Sequence, residues 1–305
     1  MIENAGNSNP TFLLGFGAAK SGTTWLYSYL KSNEIVSFYR LKEPHSWTLY
    51  FEPLISFRYY SLIENLEKYS TAKEEIIEST REKLIVELEE CLFSLRPNSY
   101  LNTYYELAMK TNKPVGDLTT DYSRLTCDQI RQVKTFLMQK FNVKALFIMR
   151  DPARRLFSQF KHNYRQEIEE IIHQGKYNDK ELSAIVNENY KRMLEREGSL
   201  STTMRADYQD IVKSLEVNFD KKNLKIVFYE DLFTKEVMTE ICDYLDASYI
   251  KPSFNDRINR DPFDVSLNEQ NYNESVKKLN DVYRFTRFKY KNLPKTWGQF
   301  VPRGI

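Results

Sequence analysis

Short apolar runs alternate with amphipathic segments along the first 250 residues of the chain. Thr11 to Gly17, residues 35 to 38 and Lys113 to Thr119 predict short strands. Val143 to Met149 (VKALFIM) and Leu224 to Tyr229 (LKIVFY) predict strands that are buried on both faces. Because strands alternate with helical patterns, the chain is expected to form an α/β fold in which helices cover both faces of a central parallel sheet.

Helical periodicity fills most of the intervals between these strands. Asp151 and Pro152 fit the N-cap and first position of a helix running toward Arg165, and two more helices are predicted before residue 224. Other predicted helices cover residues 23 to 30, most of 47 to 110, 127 to 140 and 235 to 245. The pattern indicates one domain over residues 1–305, with a flexible segment 1–10 and a segment 250–305 of uncertain structure.

Composition narrows the possible partners. The 305 residues include 44 basic and 42 acidic ones, a net charge of +2 that favours neither nucleic acid nor membrane, so any anion site must be local. Cys91, Cys127 and Cys242 lie too far apart to suggest a disulfide framework or a zinc site. No run approaches the roughly 18 apolar residues of a membrane helix. A cytoplasmic protein without a metal is expected, and the sequence does not indicate its oligomeric state.

The loop after the first predicted strand, GAAKSGTT at residues 17 to 24, resembles a Walker phosphate loop with a displaced lysine. Thr23 stands where that loop has lysine, and the only lysine of the segment is Lys20. Glycines and the following helix N-terminus favour an anion, and side chains at Lys20, Ser21, Thr23 and Thr24 add donors. The segment therefore predicts a P-loop-like three-layer fold with a phosphate site at this loop.

A second anion motif, RDPARRLFS at residues 150 to 158, follows the strongest strand. Arg150 lies at the strand end and Ser158 two turns into the next helix, so both can face one anion. Arg154, Ser158 and His162 recur at helical spacing on one face. An ordinary polar surface explains this spacing equally well, and for Arg154 and His162 alone it is the favoured interpretation.

A third motif, KEPH at residues 42 to 45, places an ammonium, a carboxylate and an imidazole in one loop. Lys42, Glu43 and His45 can supply a charge clamp and a general base. Taken alone, this short segment is better explained as a solvated polar loop.

Together these segments resemble the sulfotransferases that use 3'-phosphoadenosine 5'-phosphosulfate (PAPS) and release PAP. GAAKSGTTWL is similar to the family's 5'-phosphosulfate motif, RDPARRLFS to its 3'-phosphate motif, and KEPH to a segment of its carbohydrate branch. The resemblance implies 5'-phosphate contacts from Ser21, Gly22, Thr23 and Thr24, a cofactor contact at Trp25, and 3'-phosphate contacts from Arg150 and Ser158. It also implies that Glu43 is the base, Lys20 stabilises the leaving phosphate and Lys42 assists the sulfuryl oxygens, with His45 as the rival base.

Two further elements carry the resemblance to about residue 245. GDLTTDY (116 to 122) is similar to the branch's G-E-x-[ST]-P-x-Y element, and VFYEDL (227 to 232) to its Y-E-D-L element. Three residues depart from this branch. Asp117 replaces its Glu, and Thr120 stands where it usually has Pro. Leu118 stands where several glycan enzymes carry Lys. The acceptor is expected to be a small molecule or carbohydrate that offers a hydroxyl or an amine. Candidates for a late basic loop over the 3'-phosphate are Arg257, Arg260 and Arg303.

Two other classes remain open at the level of the sequence. A nucleotide kinase or NTPase with a degenerate Walker loop would need Mg²⁺ and a lysine after the second glycine, where Thr23 stands. A nucleotide-binding scaffold would keep the anion motifs without turnover.

Overall fold

The computed structural model describes residues 9–40, 42–52, 91–173, 177–196, 208–252 and 265–300, together with residues 64, 81, 85, 86, 88 and 89. Most of the helical region predicted between residues 53 and 90 lies outside the described residues. The same is true of Arg257, Arg260 and Arg303 and of the first eight residues.

The described residues form a five-stranded parallel sheet in the order β2-β3-β1-β4-β5. The strands are β1 (Thr11–Gly15), β2 (Ser37–Phe38), β3 (Val115–Leu118), β4 (Asn142–Met149) and β5 (Leu224–Phe228). All five predicted strands are confirmed. The prediction that Leu224 to Tyr229 is buried on both sides is wrong, because Val227 is the only buried residue of β5 and its other four residues are half-buried. Among the described strands β5 lies at the edge of the sheet.

Strand β4 shows why the sheet has helices on both faces. Its residues alternate between two apolar clusters, with Phe147 and Met149 in one and Leu146 and Ile148 in the other. Successive side chains of a strand point to opposite faces, so a continuous apolar run requires cover on both. The predicted three-layer α/β fold is confirmed.

Helices α1 and α9 contribute to one cluster, and most of the other helices contribute to the other. The helices are α1 (Thr23–Ser32), α2 (Ser46–Phe51), α3 (Pro97–Thr111), α4 (Cys127–Leu137), α5 (Pro152–Asn163), α6 (Arg165–His173), α7 (Asp179–Arg196), α8 (Tyr208–Asn218), α9 (Lys235–Tyr244), α10 (Glu269–Lys278) and α11 (Asn280–Lys289). Among the described residues, three helices (α6, α7 and α8) lie between α5 and β5, where the sequence pattern predicted two.

Helix starts follow local side-chain chemistry. The Asp151 carboxylate accepts a hydrogen bond from the Arg154 backbone N–H, with Pro152 at the first position, as predicted. Asn268 caps α10 in the same way and marks the start of a helical pair that the sequence pattern left undefined. This cap is a signal from which α10 is predictable.

The loops that carry the three motifs lie at one edge of the sheet. Because all strands are parallel, the segments that follow β1, β2, β3, β4 and β5 leave from the same carboxyl edge. Strand β1 lies between β3 and β4, where the order of connections reverses. Ligand crevices of parallel sheets form at such a reversal.

Candidate active site

The loop between β1 and α1 has the backbone of an anion site. Lys20 and Gly22 both adopt left-handed conformations, with φ of 65° and 80°. A Cβ added to Gly22 would lie 3.0 Å from side-chain atoms of Leu232 and Tyr229, so the loop packs closely against the segment after β5. The backbone turns into the N-terminus of α1, where N–H groups without a helical acceptor favour an anion.

Ser21 is a second feature of this loop that fits an anion. Its side chain is completely buried, and none of the described residues offers its Oγ a hydrogen-bond partner. Buried hydroxyls are nearly always hydrogen-bonded in folded proteins. A phosphate oxygen in the loop would satisfy this group, so the residues fit the implied ligand.

Arg150 links the end of β4 to the phosphate loop. Its Nη1 donates to the Lys20 carbonyl oxygen at 2.7 Å, and the guanidinium lies over the Tyr229 ring with 4.4 Å to the centroid. Its buried Nε has no partner among the described residues. Arg150 is thus held by its cation–π contact with Tyr229 and its hydrogen bond to the Lys20 carbonyl, and its Nε remains as a donor for a ligand.

Asp151 fixes the turn that carries Arg150. The Asp151 carboxylate is fully buried and accepts hydrogen bonds from the hydroxyls of Tyr272 and Tyr283 at 2.9 and 3.0 Å. It also accepts from the backbone N–H of Gly298 at 3.2 Å and from that of Arg154 at 3.0 Å. Three of these four donors come from the last 30 described residues.

Glu230 provides a second connection to the same turn. Its carboxylate accepts from the Asp151 backbone N–H at 3.0 Å and from Trp297 Nε1 at 2.9 Å. Burial raises the pKa of Glu230, although these hydrogen bonds oppose the shift. The Tyr208 hydroxyl donates to the Arg150 carbonyl at 2.8 Å, so the turn is supported from three sides.

Helix α5 carries Ser158 together with Arg154 and His162, the residues that recur at helical spacing. Ser158 is half-buried in the middle of the helix. One turn later, partial desolvation lowers the pKa of His162, although its side chain is largely exposed, and the positive charge of Lys20 lowers it further. Arg154 instead lies over the Tyr272 ring, 5.3 Å from its centroid. His162 is therefore within electrostatic reach of Lys20, whereas Arg154 packs against α10.

The KEPH segment is a loop after β2, as predicted, and it meets the phosphate loop through Lys42. Lys42 Nζ lies 2.7 Å from Thr24 Oγ1 and 2.6 Å from Glu43 Oε1. The other carboxylate oxygen of Glu43 accepts a hydrogen bond from Thr120 Oγ1 at 3.0 Å. Three segments that are far apart in sequence thus meet around Lys42 and Glu43.

His45 lies in a different environment from Glu43. It precedes α2 in a left-handed conformation, and its Nδ1 is 3.5 Å from Asp121 Oδ2. The ring is buried. The role of His45 as a rival base stays a prediction.

Asp117, the residue that replaces the expected Glu, is a buried carboxylate at the end of β3. It accepts hydrogen bonds from the hydroxyls of Tyr100, Thr119 and Tyr122 at 2.6–2.8 Å. Burial raises the pKa of Asp117 to about 6, against the lowering effect of these donors. Asp117 therefore anchors the segment that presents Thr120.

Trp25 lies in the apolar core beneath the loop and is 6% exposed. Its ring stacks on Tyr29, with 5.8 Å between centroids, and meets the edge of Phe233. A direct cofactor contact by Trp25 stays a prediction.

Sequence reasoning missed four supports of this site: Tyr229, Thr120, Glu230 and Trp297. The motif similarity pointed to the segments of the first three without indicating their contacts. Among the described residues no cluster of three or more metal-ligating side chains occurs. No helix in the described ranges is long and apolar enough to cross a membrane.

Comparison with known proteins identifies the family. A family model described as "Sulfotransferase domain" matches residues 10–302. The fold is similar to that of a sulfotransferase from Alicyclobacillus acidocaldarius, with a TM-score of 0.53 and 18% identity over 94% of this chain and 98% of that chain. A sulfotransferase domain from the olefin synthase of Synechococcus PCC 7002 gives a TM-score of 0.47 and 15% identity over 95% and 98% of the two chains. No curated protein matches the sequence. With the family model covering nearly all of its length, the chain belongs to the sulfotransferase domain family.

Proposed function

We propose that this sulfotransferase transfers a sulfuryl group from PAPS to a hydroxyl, or an amine, of a small-molecule natural product or sugar. The observation that carries the proposal is the contact of Lys42 with both Thr24 and Glu43, at 2.7 and 2.6 Å. Through it, a carboxylate suited to proton transfer lies one side chain away from the candidate phosphate loop. We further propose that one domain performs the reaction, since the family match spans residues 10–302.

Two separate donor sets support a nucleotide with phosphates at both ends of its ribose. The first consists of the loop after β1, in which Ser21 Oγ is buried without a partner among the described residues. The second is Arg150 at the end of β4, which keeps Nε available. In the proposal Ser21, Gly22, Thr23 and Thr24 hold the 5'-phosphate, and Arg150 with Ser158 holds the 3'-phosphate.

PAPS supplies an activated sulfuryl group whose bridging oxygen leaves with the 5'-phosphate. Glu43 takes the proton of the acceptor as the new oxygen–sulfur bond forms. Lys20 stabilises the electron pair that stays on the departing phosphate as the old sulfur–oxygen bond breaks, and Lys42 faces the sulfuryl oxygens. Positioning and fixed charge of this kind lower the barrier without a covalent enzyme intermediate.

The test is a turnover screen on the full chain. The protein is incubated with PAPS and a metabolite extract, and mass spectrometry searches for products heavier by one sulfuryl group, with PAP release measured in parallel. PAPS-dependent products that disappear in Glu43→Gln are the expected result. Calorimetric titration with PAP and with ATP plus Mg²⁺ separates the other classes. Preference for ATP would favour an NTPase, and PAP binding without any turnover would favour a scaffold.

A further inference from the structure

The candidate base is held at both of its oxygens by two different donors. Lys42 binds Glu43 Oε1 at 2.6 Å, and Thr120 binds Oε2 at 3.0 Å. The Lys42 side chain is 30% exposed and that of Glu43 22%, whereas Thr120 is buried. The two donors therefore differ in how firmly they fix the carboxylate.

Lys42 is poorly suited to orient Glu43. An ammonium is a compact point charge on a flexible four-carbon stem, so it attracts a carboxylate without defining its direction. Lys42 also contacts Thr24, on the side of the phosphate loop. An incoming sulfuryl group adds negative charge at that loop and competes for the same ammonium.

Thr120, by contrast, offers a hydroxyl on a fixed backbone. It is the first residue of a 3-10 helix, Thr120–Arg124, and its carbonyl oxygen accepts a hydrogen bond from Ser123 Oγ at 2.9 Å. The same carbonyl packs against the phosphate loop, because a Cβ added to Gly17 would lie 2.9 Å from it. The hydroxyl of Thr120 is therefore positioned relative to the loop by the backbone itself.

We propose that Thr120 is a positioning residue that holds the Glu43 carboxylate in its proton-accepting orientation when Lys42 turns toward the sulfuryl oxygens. This inference rests on the proposed function, in which Glu43 is the base. Thr120 departs from the similar element of the carbohydrate branch, which usually carries Pro at this position, and proline has no side-chain donor. A displacement of about 1 Å at a reacting group can cost on the order of 100-fold in rate, so such a device has a measurable effect.

The experiment compares Thr120→Val, which keeps the shape and removes the hydroxyl, with Thr120→Ser, which keeps the hydroxyl. PAPS is the probe and water is the acceptor, so that PAP release is measured without an identified acceptor. Thr120→Val is expected to lower kcat by about 10- to 100-fold while PAP affinity by calorimetry changes by less than about twofold. Thr120→Ser is expected to restore most of the rate.

A double-mutant cycle separates positioning from a general structural effect. In the Glu43→Gln background, adding Thr120→Val should lower kcat no further, because the hydroxyl acts through the base. Thr111→Val is the matched control: it removes a hydroxyl that binds the Leu107 carbonyl at the opposite edge of the sheet, and it should leave kcat unchanged.

The outcomes distinguish this inference from the function on which it rests. If Glu43→Gln kept wild-type turnover, the assignment of the base would fall and the role of Thr120 with it. If Glu43→Gln lost turnover while Thr120→Val matched the wild type, only the positioning role would be refuted. Equal losses from Thr120→Val in both backgrounds, or a Thr120→Ser variant as slow as Thr120→Val, would also overturn it.

Discussion

Arg150→Ala provides the most direct test of the two-phosphate site. The guanidinium of Arg150 has two roles, an observed hydrogen bond within the protein and a proposed contact with the 3'-phosphate. Its Nη1 tethers the Lys20 carbonyl at 2.7 Å, and its Nε is left for a 3'-phosphate. The substitution removes both, so a fall in PAP affinity alone would not identify the phosphate contact.

The magnitudes of the two effects can be separated with AMP, which lacks the 3'-phosphate. Loss of a charged hydrogen bond costs about 1.5–3 kcal/mol, which corresponds to roughly 10- to 150-fold in affinity. Loss of the tether loosens the phosphate loop and weakens PAP and AMP alike. The ratio of the two affinities therefore reports the 3'-phosphate contact, and Arg150→Ala should reduce that ratio by about 10-fold or more.

Calorimetric titrations of wild type and variant with PAP and with AMP measure this ratio. Arg150→Lys is the matched variant, because it keeps the charge but loses the planar donor arrangement and the stacking on Tyr229. We expect it to give an intermediate ratio. If wild type bound PAP and AMP equally, or if Arg150→Ala weakened both by the same factor, Arg150 would not hold a 3'-phosphate.

Three further predictions follow from individual residues. Gly22→Ala should lower the free energy of unfolding by about 1–2 kcal/mol in denaturant titrations, since an L-residue is strained at its φ of 80°; unchanged stability would refute the strain. Asp117, with its pKa raised from 3.8 to about 6, contributes stability below about pH 4 that is lost as pH rises through about 6. The linked difference is about 3 kcal/mol, and an Asp117→Asn variant should show a flatter pH profile of stability between pH 4 and 6, measured by denaturation. Lys20→Ala should raise the pKa of His162 in an NMR titration and weaken PAP binding, and an unmoved His162 would place the two groups beyond electrostatic reach.

The strands and the three motifs were predictable because each depends on local sequence. An apolar run such as VKALFIM determines a buried strand by itself, and the pair Asp151 and Pro152 determines a helix start. The edge position of β5 was not predictable, because it depends on whether another strand pairs with its free side. Its apolar run resembles that of a central strand, yet it pairs with β4 alone among the described strands.

The supports of the site were hidden for a related reason. The contact of Thr120 with Glu43 joins residues 77 positions apart, and that of Gly298 with Asp151 joins residues 147 apart. No periodicity or motif spacing encodes such pairs, which arise only when the parallel sheet brings its loops to one edge. Sequence similarity marked Thr120 only as a departure from the related element, and the structure supplies its partner.

The buried Asp151 carboxylate has a consequence for the order in which the protein matures during synthesis. Its partners Tyr272, Tyr283 and Gly298 are translated 121 to 147 residues after it. A nascent chain that has emerged only as far as β5 contains the ligand contacts named in the proposed function, but its Arg150 turn still lacks these three partners. Competence to bind the nucleotide should therefore appear late, after residue 298 has left the ribosome.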